Sequence, residues 1–374
     1  MSNYCPNLFN SIAITKQNEL DIKLGHCCTS TLSRATSIID FNNEFLVSNR
    51  KHYLQTGQLP DACNSCVVNE RKMSISKRLT DLIPLSETTT NAVLKRIDYK
   101  CDSICNLKCI MCGSHSSSAW ISDEIKLGFR LKSDLKVKPT KHNTAIFNLD
   151  VAQLETIYFN GGEPLMSNDH INVLTYIIEN TNAKNVSVVY NTNGTFPITD
   201  KIIAVWDKFK RIRIGFSIDA IGDAFEYIRF PANWNQVQHN LIDFQTKKDQ
   251  LLPTTEVLCH LGVTLGIQNI MYFDELLLWA KNNSFDLYIQ SDTIPGWIDL
   301  SIKNFPIEYK NQLIDYLKNI NEFDHKQSII NTCAQEINGT GSISWINRLN
   351  ELDSIRGTNW KQSLIKLYNF IGPA

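Results

Sequence analysis

The sequence predicts an α/β fold in which the strands of a parallel sheet alternate with helices. From about residue 94 to 290, short apolar runs alternate with stretches whose apolar residues recur every three or four positions, as in strands and amphipathic helices. The strand-like runs are VLKRIDYK, ETIYFN, NVSVVYNTN, RIRIGFSID, EVLCHLGVTL and FDLYIQS. Strands that alternate with helices form βαβ units, and six of them suit an incomplete or full α/β barrel.

A motif follows each of the first four predicted strands. In chain order these motifs are CNLKCIMC (105–112), NGGEP (160–164), NTNGT (191–195) and SIDA (217–220). In α/β barrels the chemistry lies at the carboxyl ends of the strands. The sequence therefore predicts a functional site where these four loops meet.

The segments on either side of this region differ from it in composition. The N-terminal segment holds five cysteines, two short extended pieces around a turn (SIAITKQ and ELDIKLG) and a helical stretch near Phe45–Leu54. The C-terminal segment contains ISWINRLNELDSIRGTNWKQSLIKLYNFI and is expected to be mainly helical. We therefore predict a small cysteine-rich module at 1–92, a barrel at 93–292 and a helical region at 293–374.

Composition limits the class of protein. The chain has 374 residues, of which 43% are hydrophobic, and a net charge of -1, so charge gives no reason to expect a nucleic-acid or membrane partner. The N-terminus MSNYCPNLFN does not resemble a signal peptide, and no apolar run is long enough to span a membrane. A cytoplasmic location is expected. The 11 cysteines, nine of them between residues 5 and 112, then favour thiolate chemistry over disulfides.

The motif CNLKCIMC places three cysteines in one short loop. We call Cys105, Cys109 and Cys112 the cysteine triad. Thiolates this close together select zinc or an iron–sulfur cluster, and zinc sites usually combine two ligand pairs. Three thiolates can hold three irons of a [4Fe–4S] cluster, which leaves the fourth iron open to a small molecule with an amine and a carboxylate.

The Cys-x3-Cys-x2-Cys loop followed by GGEP resembles the radical S-adenosylmethionine (SAM) superfamily over about residues 94–290. The resemblance implies a partial (β/α)6 barrel and a [4Fe–4S] cluster whose open iron chelates the methionine part of SAM. It also implies cleavage of SAM to a 5′-deoxyadenosyl radical that abstracts hydrogen from a substrate, with electrons from a flavodoxin- or ferredoxin-type reductant. A non-catalytic zinc or iron–sulfur protein is the competing class, but it has no use for the GGEP loop.

The glycine-rich loop supplies the first group of expected SAM contacts. Gly161 and Gly162 would let the backbone approach the methionine amine, and Glu163 would accept a hydrogen bond from that amine. Met111 is expected beside the adenine.

Three later residues resemble family residues that contact SAM. Asn193 and Ser217 are similar to strand-end residues that contact the ribose or carboxylate, and Arg229 to an arginine that pairs with the SAM carboxylate. The alternatives are that Asn193 and Ser217 only cap turns and that Arg229 forms a surface ion pair.

The five N-terminal cysteines allow several interpretations. Cys5, the Cys27–Cys28 pair and Cys63-x2-Cys66 suit a zinc knuckle or scattered buried thiols. YCPNLF, HCC and LPDACNSC also look like a bacterial group of radical SAM proteins with a Twitch- or SPASM-like module, and LDSIRGTNW looks like that group's C-terminal helix. That resemblance implies a second, auxiliary [4Fe–4S] cluster on Cys5, Cys28, Cys63 and Cys66. Cys27 remains the alternative to Cys28, because adjacent side chains diverge in an extended segment.

The remaining candidates lie outside these motifs. Cys101 is expected to pack in the first strand or to reach an auxiliary site, and Cys259 to lie in the core with His260 on the opposite face. Cys333 is a candidate catalytic residue, because a free thiol near a radical site can return a hydrogen atom to the substrate. Asp219 and Glu226 are candidate general bases.

Two substrate classes follow from the resemblance. The first is a ribosomally made peptide, which the enzyme would crosslink, epimerise or modify by thioether formation. The second is a small molecule, such as a sugar, nucleotide or amino-acid derivative, which would be dehydrogenated or rearranged.

Overall fold

The computed structural model describes residues 4–18, 21–35, 39–73, 76–80, 90, 92–100, 102–132, 144–290, 300–323, 326–334 and 341–372. Within these residues one mixed sheet contains nine strands, which are β1 (Ser11–Asn18), β2 (Asp21–Gly25), β3 (Ser33–Ala35), β4 (Arg96–Lys100), β5 (Thr156–Asn160), β6 (Ser187–Thr192), β7 (Arg211–Ser217), β8 (Glu256–Thr264) and β9 (Asp286–Gln290). The predicted α/β class is confirmed.

The central strands follow one another in chain order. The sheet order is β3-β2-β1-β4-β5-β6-β7-β8-β9, and β4 to β9 are parallel, with β4 paired to β5 through Ile97 and Ile157. These are the six strands that the apolar runs predicted. Because they are parallel neighbours, their carboxyl ends and the motifs that follow them lie along one edge of the sheet.

The N-terminal strands extend the same sheet. Strand β1 pairs with β4 in parallel, and β2 and β3 add to it antiparallel. The predicted extended pieces are β1 and β2, which confirms them. The sheet runs across the predicted module boundary at residue 92, so the cysteine-rich segment and the central strands share a sheet.

The helices cover the connections and the C-terminal segment. They are α1 (Asn7–Asn10), α2 (Glu44–Thr56), α3 (Asn64–Met73), α4 (Lys77–Thr80), α5 (Ile121–Lys126), α6 (Asp169–Asn180), α7 (Asp200–Trp206), α8 (Gly222–Ile228), α9 (Trp234–Leu251), α10 (Phe273–Asn282), α11 (Ile307–Asn319), α12 (Lys326–Ala334), α13 (Gly341–Arg356), α14 (Trp360–Ser363) and α15 (Ile365–Ile371). Asn43 caps the start of α2 and Gly57, at φ 67°, ends it. In the described part of the chain, no helix combines the length and apolar character needed to cross a membrane.

Alternation along the strands separates a buried face from a more polar one. In β8, Val257, Cys259 and Leu261 are buried, while His260 between them is half-buried. This confirms the expected placement of Cys259 and His260 on opposite faces. Cys101 lies outside the described residues, so its predicted place in the core stays a prediction.

Candidate functional site: a cysteine loop at the strand ends

The loop after β4, residues 102–117, is the centre of the site, and we call it the cysteine loop. Backbone hydrogen bonds join it to the NGGEP loop after β5, with Gly162 N 2.9 Å from Asp102 O and Glu163 N 2.7 Å from Ile104 O. Ile110 N donates to Ile228 O, 2.9 Å away, at the end of α8. The structure therefore gathers the motifs around the cysteine triad, as the strand order predicts.

The two glycines of NGGEP have a backbone reason for being glycine. Gly161 has φ 118°, a conformation that side chains rarely permit. A Cβ on Gly162 would lie 2.0 Å from Ile104 O, so any larger residue there would push the cysteine loop away. The sequence predicted that these glycines admit the methionine amine, and the contact present in the structure is with the cysteine loop.

The sulfur atoms of the triad face donors from other loops. Asn193 Nδ2 lies 3.8 Å from Cys105 Sγ, and Arg229 NH1 lies 3.8 Å from Cys109 Sγ. Cys109 and Cys112 are hydrogen-bonded to each other, which raises the pKa of Cys109 and lowers that of Cys112. Asn193 and Arg229 act to lower the pKa values of Cys105 and Cys109, but they do not outweigh the opposing effects: burial raises the pKa of Cys105 to about 11, and the pKa of Cys109 is also raised.

Glu163 is buried and serves as an acceptor for the end of β6. Its Oε1 accepts from Thr192 Oγ1 at 2.7 Å and from Leu165 N at 3.1 Å, and its Oε2 accepts from Asn193 N at 2.6 Å. Burial raises the pKa of Glu163 against the effect of these donors. A carboxylate has about four acceptor positions, so these contacts leave room for one further donor.

Asn193 is held in place by its neighbours in two loops. Its Nδ2 donates to Asn106 Oδ1 at 2.9 Å, and its Oδ1 accepts from Thr195 N at 2.9 Å. The turn-capping alternative is therefore part of its role, together with the contact to Cys105.

Arg229 and Asp219 form a buried ion pair beside the triad. Arg229 NH2 lies 2.7 Å from Asp219 Oδ2, and Asp219 Oδ1 accepts from Thr264 N at 2.7 Å. Burial acts to lower the pKa of Arg229, but Asp219 and the nearby thiols outweigh it and raise that pKa. Arg229 is only 8% exposed, so the surface-pair alternative is wrong. Because Asp219 is wholly buried and paired, its geometry suits positioning Arg229 rather than acting as a general base.

The remaining predicted residues are Ser217, Met111, Glu226 and Cys333, and they lie in different elements and loops. Ser217 ends β7 and Met111 packs against the core, both half-buried. Glu226 accepts from Trp234 N at 2.8 Å, so it holds the first turn of α9. Cys333 lies in α12 with no exposed surface, and burial raises its pKa to about 12. Its thiol is enclosed in apolar packing, and its role as a hydrogen-atom donor stays a prediction.

The sequence analysis missed a framework behind the cysteine loop. Trp120 Nε1 donates to Cys109 O at 3.0 Å, and Lys108 Nζ lies 2.8 Å from Asp123 Oδ1. The other oxygen of Asp123 accepts from Arg356 Nε at 2.9 Å. Asp123 and Arg356 are separated by more than 200 positions, so no local pattern signals the pair. The motif LDSIRGTNW contains Arg356 but does not name its partner.

A second group of cysteines lines a separate cavity near the N-terminus. Cys5, Cys27, Cys63 and Cys66, which we call the N-terminal cysteine set, line it together with His26. All four cysteines are buried, and burial raises the pKa of Cys5 to about 12, with Cys27 adding to the effect. Cys28 is exposed, and its backbone N donates to Asp98 Oδ2 at 3.0 Å. The structure thus brings Cys27, and not the predicted Cys28, to the other three.

Turn contacts bring the N-terminal cysteine set together. Thr31 N donates to Ala62 O at 2.8 Å, and Ser65 Oγ donates to Thr29 O at 2.7 Å, which joins the turn after β2 to the start of α3. Arg78 NH1 donates to Tyr4 O at 2.8 Å and holds the segment that carries Cys5.

Both donor sets consist of thiols, which suit an iron–sulfur cluster or zinc. Among the described residues, no three or more His, Cys, Asp or Glu side chains are arranged to hold a metal ion. At the triad, Arg229 Nε is buried without a partner in the described part of the chain, which leaves a donor for a bound group.

Comparisons with known proteins give structural matches only. No protein-family model and no curated protein matches the chain. The solved structures that match include radical SAM enzymes. One match is anSMEcpe with bound AdoMet, at 17% identity and TM-score 0.42 over 60% of each chain. Streptococcus suis SuiB bound to its precursor peptide SuiA matches at 12% identity and TM-score 0.36, over 92% of this chain and 77% of SuiB. The radical SAM methyltransferase TsrM from Kitasatospora setae matches at 10% identity and TM-score 0.28, over 52% of this chain and 34% of TsrM.

These likenesses are distant in each case. The chain spans about three fifths of the length of anSMEcpe. All three TM-scores lie below 0.5, so the likeness does not by itself define a function. The function is therefore argued from the residues of the site.

Proposed function

We propose that the chain is a radical SAM enzyme with a [4Fe–4S] cluster on Cys105, Cys109 and Cys112. The observation that supports this most strongly is the convergence of four strand-end loops on three cysteines, with Asn193 and Arg229 directed at sulfur. A compact thiolate triad with one position left open suits a cluster that binds a small molecule. The cluster would supply the electron that cleaves SAM to methionine and a hydrogen-abstracting 5′-deoxyadenosyl radical.

Residues of the chain would bind and orient SAM. Glu163 has one acceptor position beyond its contacts to Thr192, Asn193 and Leu165, and we assign that position to the methionine amine. The Nε–H of Arg229 is the donor available to the SAM carboxylate. Asn193 and Ser217 keep their predicted contacts to the ribose or carboxylate, and Met111 keeps its predicted place beside the adenine.

We further propose that the N-terminal cysteine set holds an auxiliary [4Fe–4S] cluster. The proposal uses Cys27 in place of Cys28, because Cys27 lines the cavity with Cys5, Cys63 and Cys66 while Cys28 is exposed. A structural zinc ion is the alternative occupant, because four buried thiols also suit zinc. Iron and zinc content separates the two.

A ribosomally made peptide is the proposed substrate, and crosslinking, thioether formation or epimerisation is the proposed outcome. The support for a peptide is the proposed auxiliary cluster at the N-terminal cysteine set, because modules of this kind frequently accompany peptide substrates in the superfamily that the sequence resembles. The alternative is a small sugar, nucleotide or amino-acid derivative, and a flavodoxin- or ferredoxin-type protein is the proposed electron donor in both cases. A partial (β/α)6 barrel over 93–292, between a module at 1–92 and a helical region at 293–374, remains our proposed domain division.

One experiment tests the class and the cluster count together. The chain is purified and reconstituted without oxygen, iron and sulfide are counted, and 5′-deoxyadenosine is measured after addition of SAM and dithionite. About eight irons with SAM cleavage supports two cubane clusters, and about four with cleavage supports the triad cluster alone. A Cys259→Ala variant is the control, because Cys259 lies in the core of β8. A fully loaded protein that does not cleave SAM would overturn the proposed class.

A further inference from the structure

The C-terminal helix α13 is attached to the cysteine loop through a buried charge cluster. Asp123 lies between two cations, with Lys108 Nζ at 2.8 Å from one oxygen and Arg356 Nε at 2.9 Å from the other. The side chains of Arg356 and Asp123 are 2% and 1% exposed. Removing one partner of a buried ion pair leaves an uncompensated charge, so this contact restrains the position of both elements.

Arg356 also packs between two aromatic rings that hold the cysteine loop. Its guanidinium carbon lies 4.6 Å from the ring centre of Trp120 and 5.1 Å from that of Phe230. Trp120 donates to the carbonyl of Cys109 at 3.0 Å, and Phe230 O accepts from Lys108 N at 2.6 Å. Each ring next to Arg356 therefore belongs to a residue that bonds the backbone of the loop.

The end of α13 is built to present this side chain. Gly357 takes φ 69° and its N–H donates to Asp353 O at 2.8 Å, which ends the helix directly after Arg356. Lys126 Nζ donates to Ile355 O at 3.3 Å. The end of α13 that carries Arg356 is thus held by its own last turn and by the neighbouring α5.

We propose that Arg356 is a positioning residue through which α13 holds the cysteine loop in its ligand-binding conformation. Arg356 does not contact the triad thiols directly in this role. It acts through Asp123, Trp120 and Phe230, whose contacts fix Lys108 and the carbonyl of Cys109. The expected effect of Arg356 on a bound cluster rests on the proposed function. Its expected effect on the conformation of the cysteine loop does not.

The test measures the loop directly in the full-length chain without a cluster. Hydrogen exchange is followed in wild type, Arg356→Met and Arg348→Met. The control Arg348 lies on the same helix but pairs with Glu351 at the surface. We expect Arg356→Met to speed exchange of amides in residues 105–112 by about tenfold while amides of β6 and β7 stay unchanged, because the loss is local. Arg348→Met is expected to leave both regions unchanged.

Two further variants separate positioning from general stability. Arg356→Lys keeps the charge but lacks the planar fork, so its exchange rate is expected between those of wild type and Arg356→Met. Asp123→Asn removes the contact to Lys108 as well as the contact to Arg356. In the Asp123→Asn background, Arg356→Met is therefore expected to speed loop exchange by less than it does in wild type, because the contact that the two residues share is already lost. Equal loop exchange in Arg356→Met and Arg348→Met would overturn the proposal, as would acceleration spread evenly over the sheet.

The reconstituted protein supplies a second readout. Iron release to a chelator is expected to be about tenfold faster in Arg356→Met than in Arg348→Met, because an opened loop exposes its ligands. Faster loop exchange in a chain that binds no iron at all would support the positioning role and count against the proposed cluster. Unchanged loop exchange in an Arg356→Met protein with normal iron loading would count against the positioning role and support the proposed cluster.

Discussion

The two cysteine groups differ in how the chain assembles them. The cysteine triad lies in eight consecutive residues at the end of β4, whereas the N-terminal cysteine set comes from three segments between Cys5 and Cys66. A cation and an amide are directed at the triad, and a donor there is unpartnered. The N-terminal set is enclosed, and burial raises the pKa values of Cys5, Cys27 and Cys63. Burial also raises the pKa of Cys105 in the triad, so the two groups differ in the donors around them and not in the direction of the thiol pKa. The comparison suggests an open site for a reacting molecule and a closed site for a structural or electron-carrying centre.

Loss of a triad thiolate should have the largest effect on activity. In Cys109→Ala we expect no detectable 5′-deoxyadenosine, because two thiolates do not hold the proposed cluster. In Cys66→Ala we expect SAM cleavage to persist with about half of the iron, because the two groups are separate. Anaerobic iron analysis and chromatography of the products measure both variants. SAM cleavage that survives in Cys109→Ala would remove the distinction between the two sites.

The next largest effect is expected from a side chain placed between the NGGEP loop and the cysteine loop. Gly162→Ala places a methyl group against the carbonyl of Ile104, and we expect a loss of roughly 1–3 kcal/mol in unfolding free energy together with weaker iron binding. Gly262→Ala is the control, since its nearest neighbour, Phe216 O, would be 3.9 Å away. Denaturant unfolding and iron analysis check the pair. Equal stability of the two variants would mean that the loops do not require this close approach.

The choice between adjacent cysteines sharpens the comparison at the closed site. We expect Cys27→Ala to lose the metal of the N-terminal set and Cys28→Ala to retain it, because only Cys27 faces the cavity. Metal analysis of the two variants in parallel gives the result. Metal loss in Cys28→Ala alone would return the ligand role to the residue that the sequence analysis selected.

A smaller effect concerns the acid stability of the core around His170 in α6. Burial lowers the pKa of His170 to about 4, and its Nδ1 is 2.8 Å from Tyr190 Oη. The unfolded chain then binds the proton first, so stability is fully present above about pH 6.5 and falls as the pH drops toward 4. We expect His170→Gln to lose less unfolding free energy over this range than wild type, by on the order of 2 kcal/mol. His52→Asn at the exposed surface is the control, and equal acid sensitivity of His170→Gln and wild type would contradict the assignment.

How much the sequence predicted depends on the range of each interaction. The six parallel strands and the strand-end location of the triad follow from local periodicity and spacing, and the structure agrees with both. The choice of Cys27 over Cys28 depends on the turn after β2, which the Thr31–Ala62 and Ser65–Thr29 contacts define. Asp219 was predicted as a base because of its position, but its buried pairing with Arg229 is a tertiary property.

The most direct test of the central claim is the electron paramagnetic resonance spectrum of reduced Cys66→Ala with and without SAM. This variant removes a ligand of the N-terminal set and leaves the triad complete. The account predicts a cubane-cluster signal that changes when SAM is added, because an open iron accepts the amine and carboxylate. A cluster signal that SAM leaves unchanged would contradict the claim that Cys105, Cys109 and Cys112 hold a SAM-binding cluster.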